Sequence, residues 1–149
     1  MDIRRTVNMA PGVYIVDGGT LSVNSTASVA GDGVTFFLTN GATLSMNGGA
    51  SVTLRAPNSG TYSGVLLYVD RDEAYNDYTV NGNLTSTVNG AVYAANGNVR
   101  MNGGSTAGGG CTQVVARTIV FSGNSGIGVD CSSAGVRDIR TSRLITIVE

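Results

Sequence analysis

The chain of 149 residues contains no histidine, no lysine and no tryptophan. Without histidine it lacks the commonest general base and any Ser-His nucleophile arrangement. Carboxylate pairs of the kind that hydrolyse glycosides remain possible. However, in the repeats described below, no acid of one repeat is matched by an acid at the equivalent strand position of the next. Asp17, Asp70 and Asp130 stand singly at turns, where Asp is common. The sequence therefore predicts a protein that is not an enzyme and needs no cofactor.

Long apolar runs and basic clusters are also missing. No stretch of 18 apolar residues is present, so we expect no membrane span. The start, Met1-Asp2-Ile3-Arg4-Arg5, lacks the apolar core of a signal peptide. As given, the chain would stay where it is made, unless it is a fragment whose export signal lies elsewhere. The nine basic residues are all arginines, and they are scattered in a chain of net charge −1, which does not predict a nucleic-acid interface.

Proline is scarce and no helical periodicity is visible, whereas glycine, threonine, serine, asparagine and valine favour short strands and tight turns. Apolar strand-like segments recur along the chain. They are Gly12-Val13-Tyr14-Ile15-Val16, Gly33-Val34-Thr35-Phe36-Phe37, Gly64-Val65-Leu66-Leu67-Tyr68, Gly90-Ala91-Val92-Tyr93-Ala94, Thr112-Gln113-Val114-Val115-Ala116 and Gly135-Val136-Arg137-Asp138-Ile139. Their starting positions differ by 21, 31, 26, 22 and 23 residues. Such periods indicate a solenoid.

A second marker runs in step with the first, with large apolar residues two positions apart, as in a strand with one buried face. Its members are Leu21-Ser22-Val23-Asn24, Leu44-Ser45-Met46-Asn47, Tyr78-Thr79-Val80-Asn81, Val99-Arg100-Met101-Asn102 and Ile119-Val120-Phe121-Ser122. Asn, Gly and Ser follow each marker, and Asn and Gly tolerate the positive φ of a sharp corner. We therefore predict structural corners, with amides able to stack between coils, at Asn24, Asn47, Asn81, Asn102 and Asn124.

A third, weaker strand follows most corners, at 51–54, 84–88 and 126–129. Three short strands per repeat predict a right-handed parallel β-helix of about six coils, with irregular loop excursions and the hand taken from parallel crossovers in general. The whole chain, 1–149, would be one all-β domain. Residues 1–11 would be an N-terminal cap, 12–142 the coils and 143–149 a terminal edge strand. A β-sandwich with the same strands is the alternative, but it does not explain the corners in step.

The first marker places apolar residues on both sides of its strand. One column would hold Ile15, Phe36, Leu67, Tyr93 and Val115, and its neighbour Val16, Phe37, Tyr68, Ala94 and Ala116. Adjacent strand residues point to opposite faces, so one apolar column must face outward. An inserted loop or the cap covers it, or it is a contact surface.

The densest cluster of charge and tyrosine is the acidic segment, which we define as residues 70–78. Its acids have the oxygen ligands that calcium takes, but their spacing fits no EF-hand loop, and a solvated loop or a partner contact explains them as well. We expect no metal here. The candidate partner-contact residues are Asp70, Arg71, Asp72, Glu73, Tyr75, Asp77 and Tyr78, with the two tyrosines as anchors.

The two cysteines, Cys111 and Cys131, are 20 residues apart, which is almost one coil. In a β-helix this spacing puts them on neighbouring coils at bridging distance and predicts a disulfide. A disulfide would indicate an oxidising compartment. The alternative is a pair of small, unpaired core residues.

Several motifs, taken in order, resemble the C-terminal region of bacterial Tad (tight adherence) pilus-assembly proteins of the TadG type. They are Gly12-Val13-Tyr14-Ile15-Val16-Asp17-Gly18-Gly19, Gly33-Val34-Thr35-Phe36-Phe37-Leu38-Thr39, Ala56-Pro57, Tyr62-Ser63-Gly64, Asp70-Arg71, Asn81-Gly82-Asn83, Gly90-Ala91-Val92-Tyr93, Cys111-Thr112-Gln113 and Phe121-Ser122-Gly123-Asn124-Ser125. The resemblance covers nearly the whole chain. It implies a protein of the cell envelope in the Flp/Tad pilus system, with a membrane anchor ahead of a domain like this one, and it supplies no catalytic residues.

We therefore expect a non-enzymatic domain, periplasmic or extracellular, that serves pilus assembly or surface adhesion. Its partners would be protein components of that assembly or a surface glycan. A self-assembling scaffold like the bactofilins is the first alternative. A carbohydrate-binding β-helix is the second, with Tyr68, Tyr75 and Tyr78 stacking on sugars. The sequence leaves the oligomeric state open.

Overall fold

A computed structural model describes residues 1–82, 86–103 and 111–123. These residues form an all-β solenoid of about five turns, in which every strand pairing is parallel. The strands are β1 Asp2–Ile3, β2 Thr6–Met9, β3 Gly12–Asp17, β4 Thr20–Val23, β5 Ser28–Gly31, β6 Val34–Thr39, β7 Thr43–Met46, β8 Ser51–Arg55, β9 Val65–Val69, β10 Asp77–Gly82, β11 Thr87–Gly103 and β12 Thr112–Ser122. The predicted parallel β-helix is confirmed.

Each turn of the solenoid has three sides, which we call the first, second and third faces. The first face stacks β1, β4, β7 and β10, and the second stacks β2, β5 and β8. The third face stacks β3, β6 and β9. The long strand β11 adds to all three faces, and β12 to the third and first. Neighbouring coils therefore lie about 4.8 Å apart along the axis.

The second sequence marker has the predicted register. Leu21 pairs with Leu44, Leu44 with Tyr78, and Tyr78 with Val99. These residues point inward, as do Val23, Met46, Val80 and Met101 two positions further on, and all eight are buried. Together with Val29 and Val52 of the second face and Val34 and Leu38 of the third, they form one hydrophobic core. Removal of this apolar surface from water is the main stabilising term of such a fold.

The predicted columns of the third face are wrong by one residue at two places. Ile15 pairs with Phe37 rather than Phe36, and Tyr93 pairs with Tyr68. The error comes from aligning glycines, because Gly12 opens β3 opposite Val34, whereas Gly33 precedes β6 in a turn with φ of 72°. A register shift between Ala91 and Val92 adds the second displacement.

The predicted N-terminal cap, residues 1–11, instead supplies the first two strands of the first coil. β1 pairs with β4, and β2 pairs with β5 along its whole length. Alternation of polar and apolar residues over Thr6–Met9 suits a strand with one buried face. The expected third strand at 51–54 is present as β8. The strand at 126–129, the coil opening at Gly135 and the edge strand at 143–149 lie outside the described residues.

The corner asparagines differ from the prediction in their backbone conformation. Among the described residues other than glycine, only Asn40 has a positive φ, of 55°. The carbonyl oxygens of Asn24 and Asn47 accept hydrogen bonds from the amides of Ala27 and Ala50, which forms ordinary β-turns. Asn81 and Asn102 lie inside strands, and Nδ2 of Asn102 donates to Oδ1 of Asn81 at 2.8 Å. Asn124 lies outside the described residues.

Candidate functional site

Three of the four carboxylates of the acidic segment accept separate hydrogen bonds. Oε2 of Glu73 accepts from the amide of Gly41 at 2.6 Å, and Oδ1 of Asp70 accepts from the amide of Asp72 at 3.2 Å. Oδ1 of Asp77 accepts from Nδ2 of Asn98 at 2.7 Å and lies 3.8 Å from Nε of Arg100. In the part of the chain that the structure describes, no three Asp, Glu, Cys or His side chains are grouped so as to hold a metal ion.

Tyr78 is not available to a partner, which corrects its assignment as a contact anchor and as a sugar-stacking residue. Its side chain is 1% exposed and belongs to the core column between Leu44 and Val99. Burial, and secondarily the charge of Glu73, raises the pKa of the Tyr78 phenol above its usual value. Tyr75, in contrast, is 50% exposed, and the guanidinium of Arg117 lies 5.5 Å from its ring centroid.

The third face carries an outward stack of rings, which we call the aromatic ladder: Phe37, Tyr68 and Tyr93. The rings of Phe37 and Tyr68 are 5.2 Å apart between centroids at 21°, and those of Tyr68 and Tyr93 are 5.1 Å apart at 10°. Tyr62, from the excursion between β8 and β9, packs edge-on against Phe37 and Tyr68. The guanidinium of Arg71 lies 5.2 Å from the centroid of the Tyr93 ring.

The ladder corrects the expectation that Tyr68 stacks on sugars. Near-parallel rings at successive coils place their faces against one another, so the middle ring has no free face. The ladder is also only partly exposed, because Tyr62 covers its middle. An inserted segment therefore covers the middle of the outward apolar column, as one of the two alternatives predicted, and one end of the column is left exposed.

The uncovered end lies on β3, the first strand of the third face. Val13 and Ile15 point outward there and are 46% and 69% exposed. Ile15 pairs with Phe37 and so extends the ladder by one apolar residue, whereas Val13 pairs with the buried Thr35. We call Val13 and Ile15 the apolar edge. Among the described strands β3 pairs only with β6, so its other side is open in the part of the chain that the structure describes.

A second candidate surface, which we call the corner groove, is concave and runs along the corner between the second and third faces. Its larger part has a volume of about 410 Å³ and its polar lining includes Asp32, Arg55, Asn58, Ser59 and Asn89. A neighbouring part of about 330 Å³ shares Asp32 and Arg55 and adds Asn8 and Thr53. The sequence did not reveal this groove, although Asp32 directly follows β5 and Arg55 ends β8, the equivalent strand of the next coil.

The predicted disulfide involves one described residue. Cys111 is 1% exposed, and its backbone amide donates to Oδ1 of Asn89 at 2.9 Å, which ties it to the coil before. Cys131 lies outside the described residues, so the pairing of Cys111 with Cys131 stays a prediction.

No protein family, curated protein or solved structure with which the chain was compared matches it. The described residues include no helix of the length and apolarity needed to cross a membrane.

Proposed function

We propose that this β-helix is a non-enzymatic domain of the cell envelope that serves Flp/Tad pilus assembly or surface adhesion by binding a protein partner at the apolar edge. The observation that carries the proposal is the exposure of Ile15 and Val13 beside the aromatic ladder, on a strand with an open side. The envelope location and the pilus system come from the sequence resemblance.

The open side of β3 favours a protein as the occupant. An unpaired strand edge offers backbone donors and acceptors to an added strand, and alternate side chains supply specificity. The other edge strands of the first coil lie next to charge, because Asp2 is in β1 and Arg4 and Arg5 separate β1 from β2. Charge at an edge discourages pairing, and β3 carries charge only at its last residue, Asp17, so the uncharged stretch 12–16 is the best surface for a partner strand. Aromatic residues and arginine are enriched at interfaces, and the adjoining ladder combines aromatic rings with Arg71 beside Tyr93.

The corner groove supports the absence of enzymatic activity. Among the described residues, Asp32 is the only carboxylate that lines either part of it, whereas glycoside hydrolysis requires two. The whole chain contains no histidine to act as an alternative base.

Replacing Val13 and Ile15 together by serine is expected to abolish surface attachment, or pilus display, in the native host. Two apolar contacts at an interface centre account for roughly 2 kcal/mol or more of binding, about a 30-fold loss of affinity. The measurement is attachment to a surface, with pili counted by electron microscopy and protein abundance checked by immunoblotting. Val120→Ser is the matched control, because Val120 is also β-branched and is 42% exposed on the first face.

Normal attachment and normal piliation in the double variant would contradict the proposal. Concentration-dependent filaments of the purified chain, lost in the same variant, would instead indicate the bactofilin-like scaffold, with a second copy seated on β3.

A further inference from the structure

The polar lining of the corner groove includes charged side chains that the described part of the protein leaves unpaired, although Oδ1 of Asn89 is used by the amide of Cys111. Asp32 and Arg55 are both exposed, and within residues 1–82, 86–103 and 111–123 neither side chain has a hydrogen-bond or salt-bridge partner. Asn58 and Ser59 project from the excursion onto the same groove. Hydrogen-bond donors and acceptors, both charged and neutral, therefore line one concave surface.

The groove is held in shape by its own backbone. The amide of Ala56 donates to the carbonyl oxygen of Asn89 at 2.8 Å, and the amide of Gly64 donates to that of Pro57 at 2.7 Å. These bonds fix both ends of the excursion that forms one wall. A surface fixed before binding loses less conformational entropy when a ligand arrives.

The groove runs along the solenoid axis. Asn8 belongs to the first coil, Asp32 to the second, Arg55 to the third and Asn89 to the fourth. At about 4.8 Å per coil, these side chains span roughly 14 Å, which suits an extended chain molecule rather than a single small ligand.

A peptide fits this groove poorly. β5 pairs with both β2 and β8, and β8 pairs with both β5 and β11, so the strands of the groove floor have no free edge for strand addition. None of the described residues that line either part of the groove is aromatic, which argues against the binding of a proline-rich segment. The apolar residues that the structure shows in the lining are small ones such as Pro11, Ala30 and Pro57, with Met9 at one end.

We propose that the corner groove binds a carbohydrate chain through its hydroxyl groups. The Asp32 carboxylate accepts hydrogen bonds from sugar hydroxyls, the Arg55 guanidinium donates to sugar oxygens, and the amides of Asn58 and Asn8 do both. Charge-assisted hydrogen bonds of this kind are the strong ones, so Asp32 and Arg55 contribute most of the affinity. This inference does not depend on the protein partner at the apolar edge, because the corner groove is a different surface of the molecule.

The experiment is a screen of the whole purified chain on a glycan array of microbial and host oligosaccharides, followed by titration of the best binder by calorimetry. Asp32→Ala and Arg55→Ala are each expected to weaken binding about tenfold or more. Asp17→Ala and Arg5→Ala are the matched controls, because both residues are exposed and have no hydrogen-bond or salt-bridge partner among the described residues. The controls are expected to bind as the unaltered chain does.

A blank array would overturn the inference, and so would glycan binding that Asp32→Ala and Arg55→Ala leave unchanged. Selection of a peptide from a phage library that Arg55→Ala rejects would assign the groove to a peptide instead. Failure here is distinguishable from failure of the proposed function, since Val13→Ser with Ile15→Ser leaves the groove intact and is expected to retain glycan binding.

Discussion

Tyr78→Ala is expected to lower the free energy of unfolding by about 3–5 kcal/mol, the range for removing a large buried aromatic ring. The ring lies between Leu44 and Val99 in the inward column of the first face and is 1% exposed. It also packs directly over Gly97, where an added Cβ atom would overlap it. The neighbouring coils keep their paired backbone, so the cavity left by the ring cannot readily collapse.

Chemical denaturation of the two tyrosine variants measures this effect. Tyr75→Ala is the control, because Tyr75 lies three residues earlier, is 50% exposed and contacts only Arg117 among the described rings and cations. Its loss is expected to stay below about 1 kcal/mol. Equal destabilisation by the two substitutions would show that Tyr78 does not occupy the core.

Gly90→Ala is expected to destabilise the fold by about 2–4 kcal/mol. An added Cβ would lie 2.7 Å from Cβ of Ala56 and 3.0 Å from Cβ of Leu66, and Gly90 has φ of 141°. Neither neighbouring atom is the end of a flexible side chain, so the overlap requires backbone movement, at about 1–3 kcal/mol for overpacking. The positive φ adds strain of roughly 1 kcal/mol for a residue with a Cβ.

Gly12→Ala is the matched control for Gly90→Ala. Gly12 opens the strand of the third face in the first coil, with φ of 155°, but no atom lies within 4 Å of its added Cβ. The difference in unfolding free energy between the two variants isolates the steric term. Thermal or denaturant unfolding measures it, and equal losses would show that the excursion does not pack on Gly90.

The predictable part of the fold is the part with a regular period. Apolar residues two apart in Leu21-Ser22-Val23 and its equivalents indicated the inward columns of the first face, because one buried face requires that spacing. The same spacing also places Tyr78 correctly, in the inward column with Leu44 and Val99. The dense charge around Tyr78 suggested a surface loop instead, and tertiary packing overrode that local signal.

The candidate surfaces were harder to predict, because they depend on how the irregular segments run. Nothing in the residues between β8 and β9 specifies that Tyr62 packs on the aromatic ladder while Asn58 and Ser59 line the corner groove. Glycine positions were a poor guide to register, since Gly12 starts a strand and Gly33 forms the turn before one. A one-residue slip turns a strand over, which is why the sequence groups Tyr93 with Phe36 and Leu67, whereas the structure places it beside Tyr68 in the outward ladder.

The most direct test of the proposed function is photo-crosslinking in the native host from a photoreactive amino acid placed at position 15. We expect one covalent adduct with a protein of the pilus or cell envelope, and no such adduct from position 6, which is exposed on the second face. Mass spectrometry identifies the adduct. The absence of any adduct from position 15, or the same adduct from both positions, would contradict a protein partner at the apolar edge.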